Sequence, residues 1–226
     1  MNNRSEIGMA ERRGVLLIVS SPSGAGKTSL TRKLIEVEEC IDLSISLTTR
    51  LQRSSEIEGV HYHFVTKDEF ERRRDKDTLL EWANVFGNFY GTPRFPVLAA
   101  IETGRDVLFD IDWQGARQIR KNAASDVVSV FILPPSANEL MSRLSRRGQD
   151  SLAVIQKRLS GALDEVNHWH EYDHVIVNDD FDFAFDQLRS ILASERQKTS
   201  RNVGIKQFVA ELRADIASRL KNQPDK

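Results

Sequence analysis

The stretch Val15-Leu16-Leu17-Ile18-Val19-Ser20-Ser21-Pro22-Ser23-Gly24-Ala25-Gly26-Lys27-Thr28 decides how the rest of the chain is read. Its apolar opening, Val15–Ser20, predicts a strand buried on both faces. Lys27–Glu38 predicts a helix directly after the glycines. The loop between them fits the phosphate-loop pattern at every position but the first, where Ser21 stands in place of glycine. Gly24 and Gly26 let the backbone curl until several N–H groups point at one phosphate. The helix adds the positive end of its dipole. In that pattern Ser21, Pro22, Ser23, Gly24, Ala25, Gly26, Lys27 and Thr28 cradle a nucleotide's phosphates. Lys27 reaches the β/γ-phosphates and the Thr28 hydroxyl ligates Mg2+.

Further apolar runs repeat the strand signal at Leu43–Leu47, Val107–Asp112, Val127–Leu133 and His174–Asn178. Helix-length segments lie between most of them. Asp112 is placed to cap a helix over Trp113–Lys121, and Ser136 with Glu139 forms a capping box for a helix running to about Arg147. Ser151 opens a longer helix towards His170, and Asp182–Lys198 predicts another. Strand and helix in alternation predict an α/β fold, a parallel five-stranded P-loop sheet flanked by helices. The stretch from Thr48 to Pro96 breaks that rhythm. Short aromatic segments and a helix opened by Thr66 and Glu69 make it an insertion, partly antiparallel, over the edge of the sheet. Gly204–Leu220 carries apolar residues at helical spacing and predicts a final helix docked on the body. Asp110 and Asp112 end an apolar strand, where such proteins hold a metal's water shell. Asp110 is the candidate that reaches Mg2+ through water.

The 226 residues amount to one large domain or two small ones. Hydrophobic residues make up 40% and charged residues 29%, which excludes wholesale disorder. Lys plus Arg number 32 against 33 Asp plus Glu, a net charge of -1. No basic excess points to nucleic acid or an anionic membrane, so any basic site must be local. One cysteine, Cys40, excludes an internal disulfide. No apolar run is long enough for a signal peptide core or a membrane span, and the expected location is cytoplasmic. Residues 1–13 and 221–226 are expected to be tails.

A phosphate loop alone leaves motors, GTPases, transporters and kinases open. The insertion decides between them. Ser46-Leu47-Thr48-Thr49-Arg50, Arg53, Glu56, Gly59 and Tyr62, then Glu81-Trp82-Ala83 and Gly87-Asn88-Phe89-Tyr90-Gly91-Thr92, closely resemble guanylate kinases. Asp110-Ile111-Asp112-Trp113-Gln114-Gly115, Arg147-Gly148 and Val177-Asn178-Asp179-Asp180 extend the likeness over essentially the whole chain from Gly14 to about Ser200. The resemblance implies one domain over 14–220. It would comprise a P-loop core, a mixed α/β GMP-binding subdomain at about 48–96 and a helical lid at about 145–165. It implies transfer of the γ-phosphoryl of ATP to GMP or dGMP, with Mg2+, in purine nucleotide metabolism and GMP recycling. By the same analogy Ser46, Glu81 and Thr92 contact guanine, with Asp112 nearby, and Arg50, Arg53, Tyr62 and Tyr90 hold the GMP phosphate. Arg143, Arg147 and Arg158 lie over the phosphoryl in flight with Lys27, and Asn178 borders adenine. The implied partners are nucleotides alone, with neither nucleic acid nor membrane, and the oligomeric state is left open.

The chemistry agrees with these roles. A GMP phosphate oxygen is anionic at neutral pH and needs no general base. The reaction needs two anions aligned and positive charge on the moving group. Arginine supplies a flat, permanently charged fork. An ionised Glu81 only accepts hydrogen bonds, matching the two donors on guanine's Watson–Crick edge. The family usually has proline before the second clamp arginine and glycine two places after it, where this chain has Gln52 and Ser55. Pro93 and Pro96 delay the helix that the family starts after Thr92, leaving Pro96 in its first turn. His61/His63 and His168/His170 are spaced as surface or packing residues rather than zinc ligands. Arg72-Arg73-Arg74, flanked by acids, reads as a solvated helix face. Two other readings stay open on sequence alone. One is a protein-binding scaffold of the same fold, against which Lys27, Thr28, Arg147 and Asp112 count. The other is a P-loop kinase for another acceptor such as a sugar phosphate, against which Ser46, Glu81 and Thr92 count.

Overall fold

The computed structural model describes residues 12–85, 87–146 and 152–221. Arg147, residues 148–151 at the start of the expected lid, residues 1–11 of the expected tail and residues 222–226 lie outside the described residues. In chain order the elements are β1 (Leu16–Ser20), α1 (Lys27–Val37), β2 (Ile41–Leu43), β3 (Leu47–Thr48), β4 (His63–Phe64), α2 (Lys67–Asp75), β5 (Leu79–Val85), β6 (Asn88–Pro93) and α3 (Arg94–Glu102). They continue with β7 (Asp106–Asp110), α4 (Trp113–Ala123), β8 (Val127–Leu133), α5 (Ala137–Arg146), α6 (Leu152–Val166), β9 (His174–Val177), α7 (Phe181–Arg196) and α8 (Ile205–Lys221).

Five parallel strands form the main sheet in the order β2-β7-β1-β8-β9. β1 is central, and its alternation explains the unbroken apolar run. Leu17 and Val19 enter one core with Leu30 and Leu34 of α1 and Ala184, Phe185 and Leu188 of α7. Leu16 and Ile18 enter the other with Val97 and Ile101 of α3 and Ala116 and Ile119 of α4. Each of the leucine, isoleucine, valine and phenylalanine side chains among them contributes about 1.5–3 kcal/mol by leaving water. The caps are where local chemistry places them. Asp112 accepts from the N–H groups of Gln114 and Gly115, Thr66 from Glu69, Ser136 from Glu139 and Asp180 from Phe183.

A second, mixed sheet runs β4-β3-β6-β5. Its own core is small: Leu47, Phe70 and Leu79, with Phe70 stacked on Phe89 at 5.2 Å. The insertion is therefore a subdomain with a thin hydrophobic base.

Three expectations change. The strand expected over Leu43–Leu47 is two strands in two sheets. Ile41–Leu43 pairs with β7, and the chain then crosses to Leu47–Thr48. An apolar run does not report the change of sheet within it. The N-terminal tail ends earlier than Arg13. Both oxygens of buried Asp106 accept from Arg12, at 2.6 and 3.0 Å, and Arg196 adds a third bond at 2.7 Å. Arg13 grips Asp126 at 2.7 and 2.9 Å. Finally, α8 forms but does not dock. Phe208, Val209, Leu212, Ile216 and Leu220 are 48, 44, 46, 48 and 66% exposed. Helical periodicity marks a face that favours cover without saying that this chain supplies it. Among the described residues no helix is long and apolar enough to cross a membrane.

Candidate active site

The loop from Ser21 to Gly26 leaves the carboxyl end of β1, the central strand, and enters α1 at Lys27. Gly24 and Gly26 take φ of 95° and 98°, a region that side chains rarely enter. At Gly26 space forbids one as well, since a Cβ would lie 2.2 Å from Nδ2 of Asn178. Asn178 follows β9 and supports the loop from below, donating Nδ2 to the carbonyl of Ala25 at 2.7 Å. Arg143 of α5 donates to the carbonyls of Ala25 and Asn178 at 3.3 and 3.0 Å, and its Nε bonds Glu139 at 2.8 Å. Lys27 Nζ is ion-paired with Asp110 and lies 3.4 Å from the carbonyl of Ile111. The loop is thus held by its neighbours, with the Thr28 side chain on the exposed side.

Across a cleft of about 290 Å³ lies the inserted sheet. Ser46, Tyr62, Asp110 and Ile111 are among the residues lining that cleft, which joins the insertion to the strand end carrying Lys27's partner. Strand register gathers residues distant in sequence. Leu47 faces Gly91 and Glu81 faces Thr92, so Ser46, one residue before β3, comes level with Thr92 and Glu81. Thr92 donates its hydroxyl to Glu81 Oε1 at 2.7 Å, and both are buried. Oε2 points at the start of α4, where a Cβ on Gly115 would stand 3.3 Å from it. Burial pushes the Glu81 carboxyl up to about 7, the Thr92 hydrogen bond opposes the shift, and the nearby Asp112 charge adds to it.

The third group is a basic clamp. Arg50 donates to both oxygens of Glu56, at 3.0 and 2.7 Å, and to the Tyr90 hydroxyl at 3.2 Å. Its guanidinium lies 5.4 Å from the centre of the Tyr62 ring, and Tyr62 meets Tyr90 edge-on at 5.9 Å. Arg50 therefore sits among the two tyrosines expected beside it. Arg53 turns its side chain to solvent and gives its backbone N–H to Glu56 at 2.8 Å. Glu56 is held down to about 2, chiefly by Arg50 and then by that N–H. Gln52, standing where the family has proline, donates to the carbonyl of Glu56 at 2.8 Å. A side-chain hydrogen bond thus closes the turn that a proline would pre-set.

The expected residues fall into two groups, the loop with Lys27, Thr28 and Asp110 and the sheet with Ser46, Arg50, Tyr62, Glu81, Tyr90 and Thr92, and of these Asp110, Ser46 and Tyr62 line the cleft between them. Asp112 caps α4 beside Glu81. Arg158 is half-buried on α6, which packs Leu159 and Ala162 against Leu140 and Leu144 of α5. Asn178 has its amide donor engaged with the loop, and Arg143 braces that loop too. The sequence reading assigned no role to Glu56, which organises the clamp. Its spacing of six from Arg50 carries no periodic signal. Glu165, which accepts a hydrogen bond from the Ser23 amide at 3.1 Å, was likewise missed. The histidines serve packing and turns: His61 accepts from the Ile57 N–H at 2.9 Å, and His168 stacks on Trp113.

Comparison with known proteins gives a consistent result. The family model described as guanylate kinase matches residues 13–195. The guanylate kinase of Rhizobium etli is 56% identical over 207 residues, covering 92% of this chain and 94% of its own. That of Agrobacterium fabrum is 55% identical over 210 residues, covering 93% and 95%. Among solved structures, guanylate kinase from Anaplasma phagocytophilum superposes with a TM-score of 0.71 at 39% identity, covering 90% of this chain and 97% of that one.

Proposed function

Because the chain belongs to the guanylate kinase family, we propose that the two faces of its cleft are a donor site for ATP and an acceptor site for GMP. The reaction is transfer of the γ-phosphoryl of ATP to GMP, giving ADP and GDP. The observation that carries the acceptor reading is the buried Glu81, held by Thr92 in register with Ser46. A carboxylate so placed offers two acceptor oxygens to guanine's N1–H and 2-amino group. Arg50, Tyr62 and Tyr90 then take the phosphate of the acceptor, with Arg53 at the outer edge of the clamp.

On the donor face, the amides and glycines of residues 21–28 hold the phosphates of ATP and Lys27 places its charge on the group that moves. By family likeness Arg143, Arg147 and Arg158 would supply positive charge to the phosphoryl, and Asn178, which supports the loop, would border adenine. The acceptor oxygen is already anionic, so these residues align the reactants and balance charge. Mg2+ fits the site. Thr28 near the start of α1 and Asp110 at the end of β7 offer hard oxygen donors, and such an ion usually takes one or two protein oxygens with the substrate's phosphates. When bound, it neutralises charge on the β- and γ-phosphates. The segment at about 48–96 acts as the acceptor subdomain and that at about 145–165 as the lid. GMP recycling in the cytoplasm is the setting that this reading gives the enzyme.

The test is a coupled assay of ADP release with GMP, AMP and ribose phosphates as acceptors. Turnover with GMP and near-background rates with the others are expected. Equal rates with AMP would remove the guanine reading, and faster turnover with a ribose phosphate would remove the purine site.

A further inference from the structure

Glu165 stands in the last turn of α6, half-buried, and its Oε2 accepts the backbone N–H of Ser23 at 3.1 Å. The contact joins α6 to the loop whose backbone is braced on its other sides by Asn178 and Arg143. Burial pushes the Glu165 carboxyl above the ordinary range, the Ser23 N–H and the nearby Lys27 charge oppose that shift by favouring the ionised form, and Asp112 adds to it. The carboxylate thus shares the field of the lysine that serves a nucleotide's outer phosphates.

An N–H has one hydrogen to give. A carboxylate and a phosphate oxygen are both acceptors, and both are anions. We propose that the Glu165 carboxylate is an internal rival of the donor's terminal phosphate, occupying the Ser23 amide and the field of Lys27 until the nucleotide displaces it. Because Glu165 belongs to α6, its displacement frees the end of the helix that carries Arg158, and arrival of the donor is coupled to movement of the lid. The inference rests on the reading of residues 21–28 as the ATP site.

The alternative is a strut, in which Glu165 only props the loop, and the choice of substitution separates the two. Glu165→Gln keeps an oxygen that can accept the Ser23 N–H and removes the charge. Glu165→Ala removes both. A rival charge predicts that both variants bind the β,γ-imido analogue of MgATP about fivefold more tightly than the wild type, the scale of one screened like-charge contact. Adenosine, which carries no phosphate, should bind all three proteins alike, as should GMP. Asp164→Asn, on the exposed side of the same turn, should leave every affinity unchanged. Calorimetry measures each directly, and the Gln and Ala variants check one another should either fold poorly. Unchanged analogue affinity in Glu165→Gln with weaker binding in Glu165→Ala would establish the strut and overturn the proposal. A wild-type protein that does not bind the analogue would instead remove the donor-site reading, and the inference with it.

Discussion

The proposed donor loop would draw its ligand-facing groups from eight consecutive residues, 21–28, whereas the proposed acceptor pocket would gather Ser46, Arg50, Tyr62, Glu81 and Thr92 from four strands or their borders. The first is a backbone device. Its shape follows from two glycines at positive φ and from a strand and helix that enter it in fixed directions, and it stands on the two-sided core of the main sheet. The second is a side-chain device on a sheet whose own core has three buried members. A backbone cradle accepts any polyphosphate. A set of aimed side chains can choose a base, and it depends on strand register to do so. The protein thus has a stiff, generic half and a thinly based, selective half.

Lys27→Ala is the largest expected perturbation. It should lower turnover by about a thousandfold, the loss typical of removing one preorganised charge or donor from the transition state. GMP affinity by calorimetry should stay within about twofold. A variant keeping a third of wild-type turnover would show that the loop binds without contributing to the chemical step.

Phe70→Ala tests the thin base. Removing a buried phenylalanine costs about 3–5 kcal/mol, and here the cost should fall on one half. GMP affinity should drop by about a hundredfold while affinity for an ATP analogue remains nearly intact. Parallel loss of both would mean that the two sheets unfold as one unit, and the contrast would be broken.

Glu81→Gln tests selectivity. Its amide turns a donor towards guanine's donors, so kcat/KM for GMP should fall. The GMP:AMP ratio should narrow by at least about tenfold, or roughly 1.4 kcal/mol. An unchanged ratio would hand base choice to Ser46 and Thr92 alone.

The smallest effect is proton-linked. Glu81 titrates near 7 in the protein, raised from 4.5 by burial, and guanine's two donors require its ionised form. Guanosine affinity should therefore weaken as pH falls, by about tenfold between pH 8 and 6. The Glu81→Gln protein should lack that step. The sign for folding is opposite. A carboxyl raised from 4.5 to about 7 gives stability that is full below 4.5 and is lost as pH rises through 7. A flat guanosine profile would place the titration elsewhere.

How much of this was legible in the sequence follows the same division. Residues 21–28, the capping residues Thr66, Asp112 and Ser136, and most helices depend on neighbours within a few positions, and local pattern suffices for them. Within the acceptor site, the residues themselves were found through family likeness. Their arrangement rests on pairings such as Glu81 with Thr92, which only folding creates. The strand read over Leu43–Leu47 failed because hydrophobicity says that residues are buried, not in which sheet. Glu56 was quoted in the family motif without a role, and Glu165 escaped notice, because their partners, Arg50 and the Ser23 amide, lie off any helical or strand period. The docking of α8 was read from an apolar stripe that the fold leaves uncovered.

The seam at the domain's entrance has a mechanical meaning. Arg13 donates its backbone N–H to the carbonyl of Arg201 at 2.7 Å, and Arg12 bridges Asn202. The bidentate grips on Asp106 and Asp126 anchor the same short segment. The polypeptide therefore enters and leaves the catalytic body through one point. Tension applied from outside Arg12 and Asn202 meets this seam before any strand of the main sheet bears load, and peels it pair by pair. While the seam holds, tethers at both ends pull against each other across a single knot of ion pairs, and the cleft is mechanically silent.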